Sequence, residues 1–147
     1  MENTMVQVTG RQDIAGYFSK DAFKEKRKMI LVLKTGVAGL HYNLDLALAE
    51  DRELVESLKP GTELKLFRDT DNEHDRWAVS VYTADGRVLG YVSRFKNETV
   101  ARLMDYGKVF HAIVDEKPEP PKDATEARRT IAPTESFEIP FSIYMEE

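Results

Sequence analysis

The sequence predicts an α+β fold that is mainly β, a small, partly open barrel with two or three attached helices. Three observations carry this. Apolar residues alternate with polar ones at a period of two over about 62–68, 77–83 and 87–92, the signature of half-buried strands. Asp85-Gly86 stands between Tyr82 and Val88, where a tight hairpin needs a residue that accepts positive φ. Helical periodicity is confined to short segments, so the strands must supply the main layer and the helices must pack onto it.

Over residues 10–28, Ile14, Tyr17, Phe18 and Phe23 share one helical face and lead into Lys24-Glu25-Lys26-Arg27-Lys28. This is an amphipathic segment with a basic rim, and such charge runs are usually solvated helix ends. Met29 to Leu33 is an apolar run of buried-strand length, continued by a stretch whose Gly36 and Gly39 suggest a bulge or sharp bend. Asn43 is placed to cap a helix near 44–57, which Pro60-Gly61 ends. After the three strands, Ser93 is placed to cap a helix over 94–106, with an apolar stripe of Val100, Leu103 and Met104 and a stop at Gly107. Val109 to Val114 reads as a strand. Pro118, Pro120, Pro121 and Pro133 mark residues 115–135 as a long loop. Phe137 to Tyr144 alternates again, and its Pro140 argues for an edge strand. The organisation expected is an N-terminal extension and first strand (1–34), a core (35–115), a loop (116–135) and a closing strand (136–147).

Composition narrows the function. The 147 residues suit one domain, and 41% hydrophobic with 32% charged content suits a globular protein. The chain has no cysteine, which removes thiolate zinc sites, disulfides and cysteine nucleophiles. Met1-Glu2-Asn3-Thr4 lacks the basic and apolar regions of a secretion signal, and no apolar run approaches a membrane span. The expectation is a cytoplasmic protein with no membrane partner, and the Asn97-Glu98-Thr99 sequon is taken as chance. The net charge of −5 means that any nucleic-acid surface must be a local patch.

The loop between Phe67 and Val79 concentrates the chemistry. Asp69, Asp71 and Glu73 alternate as in a calcium loop, but His74 occupies the position that needs Gly and Ser80 the position that needs a bidentate Glu. Asp69 and Asp71 therefore remain weak metal candidates, and a metal-dependent hydrolase using Asp69, Asp71 and Asp75 is a minor reading. His41, His74 and His111 carry no zinc spacing, and no nucleophile elbow or phosphate-cradling glycine loop is present. No cofactor is expected. A nucleic-acid surface has better ingredients. Tyr42 and Tyr91 offer stacking faces, His41 and His74 stand beside them, and Arg68, Arg76, Arg94 and Lys96 offer cations. The bland alternative is that aromatics at strand positions belong to the core.

Four stretches in order resemble the HIRAN domain family: Thr35 to Tyr42, Pro60 to Leu64, Arg68 to Val81 (which holds Asn72, His74 and Asp75), and Leu89 to Val92. The resemblance covers about 35–115, with 137–144 as a fitting final strand. It implies an OB-like barrel and a non-catalytic module for 3′-hydroxyl ends of single-stranded DNA, in a repair or replication-fork setting with a helicase or other repair protein as partner. Carried over, Tyr42 stacks on the terminal base and Asp75 accepts the 3′-hydroxyl. His41 and Arg94 lie near phosphate, His74 stands in for a stacking aromatic, and Phe137 is a further stacking aromatic. Departures are Asn43 for a second Tyr, Glu73 for a Pro and Trp77 for an Asn. Asn43, Glu73 and the net charge favour the alternative, a protein-interaction module on the same fold.

Overall fold

The structure, a computed structural model, describes residues 8–9, 28–120 and 137–147. Its strands are β1 (Val8–Thr9), β2 (Met29–Gly36), β3 (Glu63–Arg68), β4 (Val79–Thr83), β5 (Val88–Tyr91), β6 (Phe110–Val114) and β7 (Pro140–Glu146). Its helices are α1 (Leu40–Asn43), α2 (Ala49–Ser57) and α3 (Glu98–Asp105). The strands form one sheet in the spatial order β1-β2-β7-β6-β3-β4-β5. The short β1 runs parallel to β2, and the other pairings are antiparallel.

The sheet closes on itself at one end. Beyond β2 the chain bends, and Ala38 exchanges two backbone hydrogen bonds with Tyr91 of β5, at 2.8 and 2.9 Å. This clasp joins the far edge of the sheet to the exit of β2 and makes the partly open barrel that the sequence predicts. Gly90 permits it. A Cβ there would lie 2.1 Å from the Ala38 carbonyl oxygen and 2.8 Å from Val37, so the two backbones approach this closely only over a glycine.

Alternation sets the inner face. Leu64, Val79, Val81, Leu89 and Val92 are buried and meet Val100 of α3, Val114 of β6 and Phe141 and Ile143 of β7 in one apolar cluster. Burial of this apolar area, worth roughly 25 cal/mol per Å², holds the barrel together. The β4–β5 turn is as predicted: the Gly86 N–H donates to the Thr83 carbonyl at 3.0 Å, with Gly86 at φ 98°. Gly107 ends α3 as predicted too. Its N–H reaches the Met104 carbonyl at 2.9 Å while that of Lys108 reaches Leu103 at 3.0 Å, the paired bonds of a glycine helix stop.

Some expectations are corrected. The single helix capped by Asn43 is two helices, because Asn43 ends α1 and turns its amide onto the carbonyls of Gly39 and Leu89. Instead Asp45 builds the turn before α2, accepting the Ala47 N–H at 2.9 Å. Ser93 caps no helix. Its carbonyl accepts the Lys96 N–H in a separate turn, and α3 begins at Glu98. Pro140 does not mark an edge: β7 lies between β2 and β6, and the missing N–H is tolerated because Pro140 is the first residue of the strand. Buried Ser142 breaks the expected polar-out pattern of that strand and gives its hydroxyl to the Asp115 carboxylate at 2.7 Å.

The amphipathic segment expected over 10–28 lies, apart from Lys28, outside the described residues, as does the proline-rich stretch beyond Pro120. Among the described residues no helix is long and apolar enough to cross a membrane.

Candidate nucleic-acid interface

The loop from Asp69 to Ala78 joins β3 to β4 and is built from side-chain-to-backbone bonds. The Asn72 side-chain oxygen accepts the N–H of His74 at 2.8 Å and of Asp75 at 2.9 Å. Asp75 repeats the device, its Oδ1 accepting the Trp77 N–H at 2.9 Å. Asn and Asp favour such turns because their short side chains mimic a backbone turn. Asp75 Oδ2 accepts the side-chain amide of Asn97 at 2.8 Å. That bond pins the loop to the start of α3. Each carboxylate oxygen of Asp75 keeps a free lone pair, and among the described residues no cation pairs with it.

In the sequence Asn97 stands out only as part of a chance sequon. It is 1% exposed, and its side-chain oxygen has no partner among the described residues. A polar residue just before an amphipathic helix was the available signal, but nothing local tied it to Asp75, which lies 22 positions away.

Arg68 departs from the phosphate role expected of it. Its guanidinium bonds the Asp105 carboxylate at 3.0 and 3.3 Å and the carbonyls of Asp69, Arg76 and Ala78 at 2.9–3.3 Å. Arginine has five N–H donors, and these five bonds use them all. Arg68 thus fastens the loop to α3. Trp77 does the same with its ring, which the guanidinium carbons of Arg102, Arg76 and Arg68 approach at 4.4, 4.7 and 5.5 Å from the centroid. Each such contact contributes roughly 0.5–1 kcal/mol at exposed sites. The Trp found in place of an Asn therefore supports the loop.

The clasp sets α1 against β5, and the exit of β5 runs beside this loop. Ala38 pairs with Tyr91, and Gly39 at φ 77° starts α1 directly after it. Tyr42 is 83% exposed, with the exposed His41 ring against it at 3.8 Å between centroids. Tyr91 opposes Ser80, and the Val92 N–H donates to the Val79 carbonyl, so the loop's exit at Ala78 lies next to the turn after β5. That turn presents Arg94, Phe95 and Lys96, all exposed; Arg94 lies over the Phe95 ring at 5.9 Å. Phe95, 89% exposed, is an aromatic that sequence reasoning missed.

His74 is exposed on the loop. Asn72 is turned into the loop, its amide nitrogen 3.4 Å from Asp69 Oδ2. Phe137 is half-buried against the core cluster. Among the described residues no three His, Asp or Glu side chains, Asp69 and Asp71 included, gather to hold a metal ion. His111 lies on β6, 2.6 Å from the Glu146 carboxylate.

The profile of the HIRAN domain family matches residues 30–134. The chain belongs to the HIRAN domain family. HIRAN domains are nucleic-acid-binding modules and generally non-catalytic. Two solved structures share the fold. A protein from Lactobacillus plantarum is 23% identical with a TM-score of 0.59, over 82% of this chain and 98% of the other. The HIRAN domain of human HLTF is 17% identical with a TM-score of 0.52, over 80% of this chain and 78% of the other. At these identities the likeness shows the fold alone. No curated protein matches the sequence.

Proposed function

We propose that this HIRAN domain is a non-catalytic module that binds the 3′-hydroxyl end of single-stranded DNA. The observation that carries the reading is the setting of Asp75. Its carboxylate is held by two neutral donors and, among the described residues, pairs with no cation; exposed Phe95 lies on the turn that leads to its partner Asn97, and exposed Tyr42 lies on α1, which packs against β5. A carboxylate so placed accepts a hydrogen bond from a free hydroxyl and repels a phosphate on the same oxygen. A charge-assisted bond of this kind contributes roughly 1.5–3 kcal/mol. Tyr42, backed by His41, stacks on the terminal base and adds roughly 1–3 kcal/mol. Arg94, Lys96 and Arg76, which form no ion pair with the described residues, meet the phosphates. Such a module suits a repair or replication-fork assembly whose motor activity comes from a partner such as a helicase.

Titration with strands that differ only at the 3′ end tests this. A 3′-hydroxyl strand should bind roughly tenfold or more tighter than its 3′-phosphate counterpart, and a 5′-phosphate should change little. Tyr42→Ala should weaken both alike. Affinity should fall with salt by two or three contacts, at about 0.7 logarithmic units each. Equal binding of the two 3′ ends would sink the reading. The protein-interaction alternative, which the net charge of −5 favours, would then stand in its place.

A further inference from the structure

Sheet register gathers three aromatic rings on the outer face of β3, β4 and β5. Directly opposed residues of an antiparallel pair point to the same face. Phe67 opposes Ser80, and Ser80 opposes Tyr91, so these three form one row across three strands. Lys65 opposes Tyr82 in the adjacent row, which Val88 completes. The intervening residues Leu66, Val81 and Gly90 form a row on the inner face. Phe67 is 55% exposed and Tyr91 37%, with the small Ser80 between them. The Phe67 ring meets Tyr82 edge-on, centroids 5.1 Å apart. Neither outer row holds an acidic side chain, and Lys65 is exposed.

This face borders the clasp. Tyr91 pairs on its other side with Ala38, at the entrance to α1 and the His41–Tyr42 stack. Tyr91 therefore links the entrance of α1, through the sheet register, to Phe67 and Tyr82. Phe67 and Tyr91 are two strand spacings apart, about 10 Å, which separates them too far to clamp one base but lets each stack on its own.

We infer that the outer face of β3–β5 carries the internal nucleotides of a single strand whose 3′ end lies at Asp75. Phe67, Tyr82 and Tyr91 stack bases and Lys65 meets a phosphate. The inference rests on the single-strand reading above. Charge and area favour this occupant over a second copy of the chain. The two rows carry a cation and no anion, which suits a polyanion. Three part-exposed rings supply well under the roughly 800 Å² per partner that a stable protein interface buries, whereas base stacking requires the ring faces alone.

Calorimetric titration with a 3′-hydroxyl oligothymidylate dinucleotide and decanucleotide tests it, with thermal unfolding confirming that each variant is folded. Phe67→Ala should weaken the decanucleotide about five- to hundredfold and leave the dinucleotide unchanged, and Phe67→Trp should restore stacking. The same loss should appear with a decanucleotide ending in 3′-phosphate. If Phe67→Ala leaves the decanucleotide unaffected while the wild type still prefers the hydroxyl end, the path is wrong and the end site survives. If the wild type ignores the 3′ end but Phe67→Ala still weakens the decanucleotide, the path survives and end recognition fails. Absence of strand binding, with Phe67→Ala converting an associated protein to a monomer, would overturn both in favour of a copy interface.

Discussion

Asp51 and Asp75 are carboxylates at opposite ends of β5 with opposite surroundings. Asp51, in the first turn of α2, is buried; it accepts the Asp45 N–H at 2.8 Å and pairs with Arg87, just before β5, at 2.5 Å. Burial works to raise its pKa, but the Asp45 N–H and the Arg87 guanidinium outweigh it and hold the carboxyl below its ordinary value. The same pairing raises Arg87. Asp75 is more open and is held by a backbone N–H and a side-chain amide, both neutral. A carboxylate that fastens a helix is given a cation, which satisfies its charge. One oriented by neutral donors keeps its charge for whatever arrives from solvent. The two residue types are identical, so burial and the charge of the partner separate the roles.

Three substitutions separate the two roles. Gly90→Ala attacks β5 itself, which links the two carboxylates. The new methyl meets backbone at 2.1 Å, so no rotamer change relieves it. We expect a loss of roughly 3 kcal/mol or more, at the upper end for overpacking, measured by urea unfolding. A variant within about 1 kcal/mol of wild type would show that the clasp is dispensable.

Asp51→Ala comes next. Arg87 is 41% exposed and can be resolvated, so the loss should be about 2 kcal/mol, below the roughly 3–5 kcal/mol of a fully buried pair. The folded-state pKa of Asp51 is depressed, so its contribution is present above its unfolded value of about 3.9 and is lost as pH falls through the folded value. The stability gap between wild type and Asp51→Ala should therefore close below about pH 4. Selectivity for the 3′ end should be untouched. A gap that widens on acidification would contradict the assigned sign.

Asp75→Asn should have the smallest effect on stability, below about 1 kcal/mol. The new amide still offers an oxygen to the Trp77 N–H, and Asn97 can rotate to present its unpartnered oxygen. Preference for 3′-hydroxyl over 3′-phosphate should nevertheless narrow, because an amide does not repel phosphate as a charge does. A stability loss as large as that of Asp51→Ala would make Asp75 a structural residue like Asp51.

The strands and their hairpin were legible in the sequence because period-two alternation and Asp85-Gly86 act over a few neighbouring residues. The glycine stop of α3 was legible for the same reason. The ordered motifs, Arg68 through Val81 above all, pointed to the family and brought Tyr42, Asp75 and Arg94 forward as candidate site residues. Long-range contacts decided the rest. Pro140 by itself argues for an edge strand, but β2 and β6 flank its strand on either side. Arg68 looked like a phosphate ligand until Asp105, 37 positions on, and three carbonyls took its donors. Asn97 looked like nothing until the fold set it against Asp75. Sequence alone determined which residues alternate, turn and stop. The clasped sheet decided which polar groups would be used up inside the protein, because a hydrogen-bond donor has a finite number of bonds and only the tertiary structure says where they are made.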